Sequence, residues 1–591
     1  MNKRVIDILF VIILLSPPFK FANRIFALPG FITGPFTNDL VAWPLLIGII
    51  YTLYCQYKYG NVLVGWKRFK KYILIYLAVL LVSLIWGLLS YPYFDMLFNG
   101  PVSDTGKFAK VMGLLSHVGI HLNQEFSMSI WILMRSVKTI LLNLLYTFGG
   151  AYMIYCWYHD RVERALQLLK NVTVGFLVLL AAYGLVEVCY QNGQMWAQNF
   201  LQFMWPILHS NPHPDQHFYP ALMGARVRSF FLEASYFGIY LTFALPILWW
   251  KIVEEKGIRR AGLCLLYLIL AFELYLMQSR SATAFFIGEL LLMAIGTLYL
   301  RDRKLCLPVA GIFAGALIAF GGAMYFLENY QIPVPVGSYG PVAMKRIELE
   351  KKGLWPRQAK PSPEQNAASQ QKAKASPAPK QKSQPPKNNG AQNKGGGSNQ
   401  AENYVNSSLV SLVNTDKAKN RADSNHVRYG ITIANVEIGL HHNPILGVGS
   451  GLDAAYFYEK FQNDKNGEIQ RYIKQVKKDG LLQSGSPVMC DYTSQFMQTG
   501  IVGLALFVVP ALYVLFRLLT LFLKSRADGK KPVILLFVII ADIGIAITGF
   551  SNTLNITYCY WLMLGLSYSI YFHYKGIWKE NLITGVENEN R

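Results

Sequence analysis

Acidic residues are scarce in this chain. Its 591 residues include 34 Asp and Glu against 56 Lys and Arg, a formal net charge of +22. All charged residues together make up 15% of the sequence, well below the roughly 25% of soluble domains. Cysteine is sparse as well. The seven cysteines, at 55, 156, 189, 264, 306, 490 and 559, lie mostly inside apolar runs and show neither metal-ligand spacing nor a disulfide framework. Cys490 alone sits in a polar stretch and is expected to be a free thiol outside. Walker loop, Asp-x-Asp, HExxH and nucleophile-elbow motifs are all missing, which removes the usual signatures of nucleotide, zinc and serine-hydrolase chemistry. There is no internal repeat. No small-residue cleavage site follows the first apolar run, so that run reads as an uncleaved helix.

What is present is apolar. Hydrophobic residues make up 53% of the chain, and mean hydropathy is +0.27. Apolar runs fall at about 5–17, 39–57, 72–90, 130–157, 172–190, 230–250, 261–278, 282–300, 305–327, 495–523, 533–551 and 554–574. The reading is all-α, a polytopic membrane protein of about twelve spans. Basic clusters follow every even-numbered run up to the tenth: Lys67 to Lys71, Arg161 to Lys170, Lys251 to Arg260, Arg301 to Lys304 and Lys524 to Lys531. Such loops face the cytoplasm. Both termini are then cytoplasmic, and the basic excess reflects anionic lipid rather than nucleic acid.

The organisation expected is helices 1–9 over 1–327, an outward loop over 328–494, helices 10–12 over 495–574 and a cytoplasmic tail over 575–591. Within the loop, 356–402 has too few large apolar residues to bury a core and is expected to be a disordered tether. The part from 404 to 494 is expected to be helical. Its most patterned stretch runs from Arg421 to Leu452. Val427, Ile431, Ala434 and Ile438 form one apolar stripe at helical spacing. Gly439 is expected to let this helix stop, and Pro444 forbids its continuation.

Polar groups crowd the outward side. Arg226 and Arg228 stand in ARVRSFFLEASYFG, Arg280 in QSRSA, and Arg428 in the patterned helix. Arginine offers a planar fork suited to phosphate; each one alone is equally well a lipid-headgroup contact. Glu233, Glu273, Glu289, Arg135 and Lys138 add charges within or at the ends of apolar runs, where charges pair or line a cavity. Asp491, in PVMCDYTSQFMQTGIVG, is both a good N-cap and a candidate base for a hydroxyl. His441 and His442 are rivals for that role, and at most one of two adjacent helical histidines faces a site. The Gly447-Val448-Gly449 turn offers backbone N–H groups to an anion.

These residues, in this order, resemble the O-antigen ligase and polymerase family of bacterial envelope enzymes. The matching segments are Arg228 with SFFLEASYFG, SRSA at 279–282, HVRYGITIANVEIGLHHNPILGVGSG at 426–451, and DYTSQFMQTGIVG at 491–503. The resemblance implies a membrane-embedded glycosyltransferase of the C type (GT-C). Such enzymes need no metal and use undecaprenyl diphosphate as the glycan carrier. They work at the outer face of the cytoplasmic membrane, in O-antigen, capsule or exopolysaccharide synthesis. It implies that Arg228 and Arg280 hold the diphosphate and that Arg428 supports it. Ligases of the family carry a His where this chain has Cys490 and Asp491, which points to a polymerase with Asp491 as base. A lipid-linked oligosaccharide as substrate follows, with a flippase and a chain-length regulator as possible partners. The alternatives are ligase-type transfer to another acceptor and a lipid-oligosaccharide transporter; the latter predicts repeat halves and broken helices.

Overall fold

The computed structural model describes residues 1–19, 39–98, 106–119, 123–208, 226–332, 424–464, 466–481, 487–527 and 533–589. The expected tether at 356–402 lies outside them. The described residues contain helices and no strand. Among the described residues, seven helices are long and apolar enough to cross a membrane: Trp66–Leu89, Glu125–Tyr158, Val162–Gln191, Ala234–Glu254, Arg280–Leu300, Arg303–Asn329 and Asp491–Ser525. Val533–Thr548 is apolar but shorter. Lys3–Leu15, Ala42–Tyr59, Gly257–Leu276 and Cys559–Glu589 are helices in the remaining apolar runs and fall short of that standard. The chain is a helical, membrane-embedded protein.

Ala234–Glu254 is the axis of the bundle. It is apolar on every face, as an enclosed helix must be. Phe237, Tyr240, Leu241, Ala244, Leu248 and Trp249 are all buried. It packs against Val533–Thr548, Val162–Gln191, Arg280–Leu300 and Gly257–Leu276.

The two ends of the bundle differ. One end is basic: Arg164 pairs with Asp7 at 2.9 Å, and Lys170 with Glu254 at 2.5 Å. The other carries Glu187, Arg228, Arg428 and Asp491. The helix Ser424–His442 belongs to that opposite end, followed by Asp453–Phe461 and Gly467–Asp479. The expected stripe of Val427, Ile431, Ala434 and Ile438 is buried. Gly439 does not end the helix, which continues to His442. Its missing side chain instead lets Phe496 approach, since a Cβ there would sit 2.8 Å from the ring.

Asp491–Ala527 carries two irregularities, each with a local cause. Pro510 has no N–H to give the Leu506 carbonyl; the Tyr72 hydroxyl from Trp66–Leu89 takes that place. Gly500 breaks the helix, with φ 63° and ψ −170°, a region only glycine occupies without strain. The 444–449 turn fits into the gap. Val448 N–H donates to Met497 O and Gly449 N–H to Gln498 O, both at 2.9 Å. In return Ile501 N–H donates to Pro444 O at 2.9 Å. Ser83 Oγ of Trp66–Leu89 donates to Leu446 O at 2.5 Å and to Gln498 O at 3.0 Å. The turn is thus wedged between two apolar helices. Irregular backbone is tolerated at such depth only when protein covers it and satisfies its polar groups.

Candidate functional site

Four segments that lie far apart in the sequence converge at the end opposite the basic loops. Gly238 of SFFLEASYFG packs on Ala282 of SRSA. Asn435 Nδ2 donates to Thr493 Oγ1 at 3.2 Å, which joins the patterned helix to DYTSQFMQTGIVG. The two pairs meet at Tyr236, whose hydroxyl lies within electrostatic reach of Glu233, Arg428 and Asp39. Arg428 Nη1 also donates to the Ser551 carbonyl at 3.1 Å.

Arg228 is not presented to a ligand. It is buried, with 4% of its surface exposed. Its Nε lies 3.8 Å from Glu187 Oε1, and its guanidinium stacks over the Trp205 ring at 4.8 Å. Glu187 Oε2 also accepts the N–H groups of Arg228 and Ser229, at 2.8 and 2.7 Å. This bifurcated grip holds Ser229 at φ 53°. The expectation that Arg228 clamps a diphosphate is therefore corrected: a buried ion pair anchors the segment instead. Arg226 is exposed beside it; Arg280, the first residue of its helix, is half-buried. Glu233 is half-buried, with the Ser235 hydroxyl 3.2 Å from its Oε2.

The glycine turn is a second correction. Gly447 N–H donates to Asn443 O at 2.8 Å, and the next two N–H groups bond the broken helix. None of the three points at an anion. Gly447 and Gly449 are needed for backbone shape and close approach, at φ 72° and 95°.

Asp491 is a tie between segments rather than a cap of its own helix. Its Oδ2 accepts the Leu554 N–H at 3.0 Å, and its own N–H donates to Gly549 O at 2.8 Å. Gln495 lies alongside, and Tyr76 and Tyr560 lie close enough to feel its charge. Asp491 as a whole is 8% exposed. Cys490 is buried, not an exterior thiol. His441 and His442 are both exposed; His442 packs edge-on to Tyr456, with centroids 4.7 Å apart.

Glu273 and Glu289 do not form the ion pairs that buried charges usually require. Both are buried, and none of their carboxylate oxygens has a hydrogen-bond partner among the described residues. Glu273 lies against Gly184 and near Glu187; Glu289 fills the space left by Gly544.

Comparison with protein-family models, curated proteins and solved structures finds no match for this chain.

Glu187 escaped the sequence reading, and so did two carboxylates at helix starts. Asp39 is buried at the entry to Ala42–Tyr59, beside the Tyr558 hydroxyl. Asp453 is buried at the start of Asp453–Phe461, beside Gln498 from the broken helix. A lone Asp before a helix reads as a cap, so only the fold reveals either one. Backbone strain is a better guide. Among the described residues, five non-glycines have positive φ: Asn61, Ser229, Gln278, Arg301 and Tyr558. Ser229 adjoins Arg228, Gln278 precedes Arg280 by two, and Tyr558 faces Asp39. Such residues collect where the surroundings over-determine the backbone, often at functional sites.

Proposed function

We propose that this chain is a GT-C-like glycosyltransferase of the bacterial cytoplasmic membrane, with twelve spans and both termini inside. It would join lipid-linked repeat units on the outer face and so act as a polysaccharide polymerase. The observation that carries this reading is the convergence of the four resembling segments at one end of the bundle. A lipid diphosphate leaving group concentrates negative charge, which arginine can stabilise without a metal. Arg280 and Arg428 are the arginines for that task, with Arg226 at the rim and Arg228 holding the frame. The acceptor hydroxyl needs orientation and a proton acceptor. Asp491 fits that role, with Asp39 as the nearest rival and His442 as a more distant one. One displacement inverts the anomeric centre. Ligase-type transfer to another acceptor uses the same groups.

A transporter of lipid-linked oligosaccharide is the second reading, and the break at Gly500 favours it. Reciprocal backbone bonds close that break, however, whereas a transporter's unwound carbonyls face a substrate or an ion.

The deciding experiment is Asp491→Asn in a deletion strain. The amide oxygen still accepts the Leu554 N–H, so the variant should insert and accumulate normally. It cannot take a proton, and polymer should fall by about 10²-fold or more while unextended lipid-linked units build up. Normal polymer from Asp491→Asn, with loss from Asp39→Asn, would move the base to Asp39. Normal polymer from both, and from Arg280→Lys, would remove the enzyme reading.

A further inference from the structure

The surface around His442 is absorbed neither by the arginine centre nor by the packing of the bundle. Tyr456 of Asp453–Phe461 is its hub. The Tyr93 ring meets Tyr456 edge-on at 4.8 Å, Tyr91 meets it at 6.1 Å, and His442 meets it from another helix at 4.7 Å. The Tyr93 hydroxyl donates to Glu459 Oε2. Tyr456 is buried, whereas Glu459 and His442 are exposed and Tyr93 is half-exposed. Three segments therefore hold one carboxylate, one imidazole and a tyrosine edge in fixed relation at the protein surface. Partial burial of the ring, and then His441, hold the His442 imidazole below its ordinary value, with Glu459 opposing. The ring is thus neutral at pH 7, with one donor and one acceptor nitrogen.

Sugars ask for this combination. Their hydroxyls donate to a carboxylate, their ring oxygens and hydroxyls meet a neutral imidazole, and their C–H faces pack on aromatic rings. Position adds a second argument. His442 lies fourteen residues beyond Arg428 on one continuous helix, which is about 21 Å along its axis. A ligand held by its diphosphate near Arg428 reaches the His442 surface only through an extended chain of several sugars.

We propose that His442, Glu459 and Tyr93, held by Tyr456, form a saccharide subsite that binds the glycan remote from the diphosphate. This rests on the reading of the chain as a glycan-handling enzyme, and it adds a recognition site apart from the transfer chemistry.

The test uses the full-length protein in detergent and lipid-free fragments of one and two repeat units, cut from the polysaccharide of the parent strain. Binding is followed by saturation-transfer NMR and titration. The native protein should bind the fragments. Glu459→Gln should weaken them about tenfold or more, the effect expected for a charged acceptor. Tyr93→Phe, which frees Glu459 from its anchor, should weaken them less. Arg428→Ala should leave fragment affinity unchanged, because the fragments carry no diphosphate. Thermal stability of each variant is measured alongside. Unchanged affinity in Glu459→Gln overturns the subsite, and so does a fall in stability with affinity intact, since the cluster is then only a brace. Failure of the native protein to bind either fragment overturns it too. The transferase reading is judged separately by polymer formation in Asp491→Asn, so either idea can fall without the other.

Discussion

The two ends of the bundle solve the problem of polar groups near a membrane differently. At the basic end, charges are part-exposed and pair with one another between helix ends: Arg164 and Arg161 with Asp7, Lys170 with Glu254. Glycines there have room. Gly60 and Gly65 take positive φ with nothing within 4 Å of a would-be Cβ. At the opposite end, several charges are buried or half-buried and held by backbone. Arg228 is gripped through Glu187, Asp491 through Leu554 and Gly549, and Arg428 through Ser551. Several glycines there have none. A Cβ on Gly447 would lie 2.5 Å from Gln498 carbon and Thr499 nitrogen. Pairs of the first kind keep part of their charge in contact with solvent, where attraction is weakened and screened by salt. Buried groups of the second kind are costly to disturb singly, because each leaves another unsatisfied. One end is adaptable; the other is over-determined, as a site that must hold its geometry needs to be.

The largest effect should come from breaking the grip at Arg228. Arg228→Ala leaves the Glu187 carboxylate buried beside two N–H groups and Trp205. Removing one partner of a buried ion pair costs about 3–5 kcal/mol. The variant should therefore be lost from the membrane, while Arg164→Ala at the basic end should accumulate normally. Pairing Arg228→Met with Glu187→Gln should recover most of the protein. If that double variant is stable and also makes normal polymer, Arg228 is structural only. If it is stable and inactive, the arginine acts on substrate after all and the contrast between Arg228 and Arg280 falls.

A somewhat smaller effect is expected at Gly500. Alanine there must adopt a glycine-only backbone region and drive its Cβ into the Ile445 carbonyl. Strain and overpacking together cost roughly 2–4 kcal/mol. Gly60→Ala at the basic end takes nearly the same backbone, φ 61° and ψ 174°, but in open space, and should cost only the strain part, about 1–2 kcal/mol. Thermal unfolding in detergent separates the two. Equal losses would show that φ alone matters and that the wedge between the turn and the broken helix contributes nothing.

That pair of glycines also shows what sequence could carry. The apolar stripe of Val427, Ile431, Ala434 and Ile438 was legible because helical period is a local property. The basic clusters were legible for the same reason. The expectation that the Gly447-Val448-Gly449 turn offers N–H groups to an anion failed for a largely long-range reason: the acceptors of Val448 and Gly449, Met497 O and Gln498 O, lie some fifty residues away and become available only because Gly500 breaks a helix. Within a run such as QTGIVG, that glycine looks like ordinary close packing. Arg228 was found by its type and setting, but its burial depends on Glu187 and Trp205, which no spacing connects to it. Asp39 and Asp453 carry no local signal beyond a helix start.

Asp453 gives the smallest of these effects and the one with a pH signature. It is buried at the over-determined end, and burial, opposed by its own backbone N–H and Gln498, pushes its carboxyl up to about 6. An unfolded Asp titrates near 4. The folded state thus binds the proton more tightly than the unfolded state does. Below about pH 4 both forms are protonated and Asp453 imposes no penalty. As pH rises from about 4 to 6, the unfolded chain ionises first and stability falls; above 6 both are ionised and the full penalty remains. That penalty is roughly 1–3 kcal/mol. Asp453→Asn should therefore raise the unfolding temperature at pH 7.5, match the native protein near pH 4, and flatten the slope between. Asp7 is the control from the basic end: it sits among Arg161, Arg164 and the Tyr158 hydroxyl, and Asp7→Asn should lower stability at pH 7.5. If Asp453→Asn lowers it too, the carboxylate is tied as an ion to Gln498 and the broken helix. The two ends would then treat their acids alike.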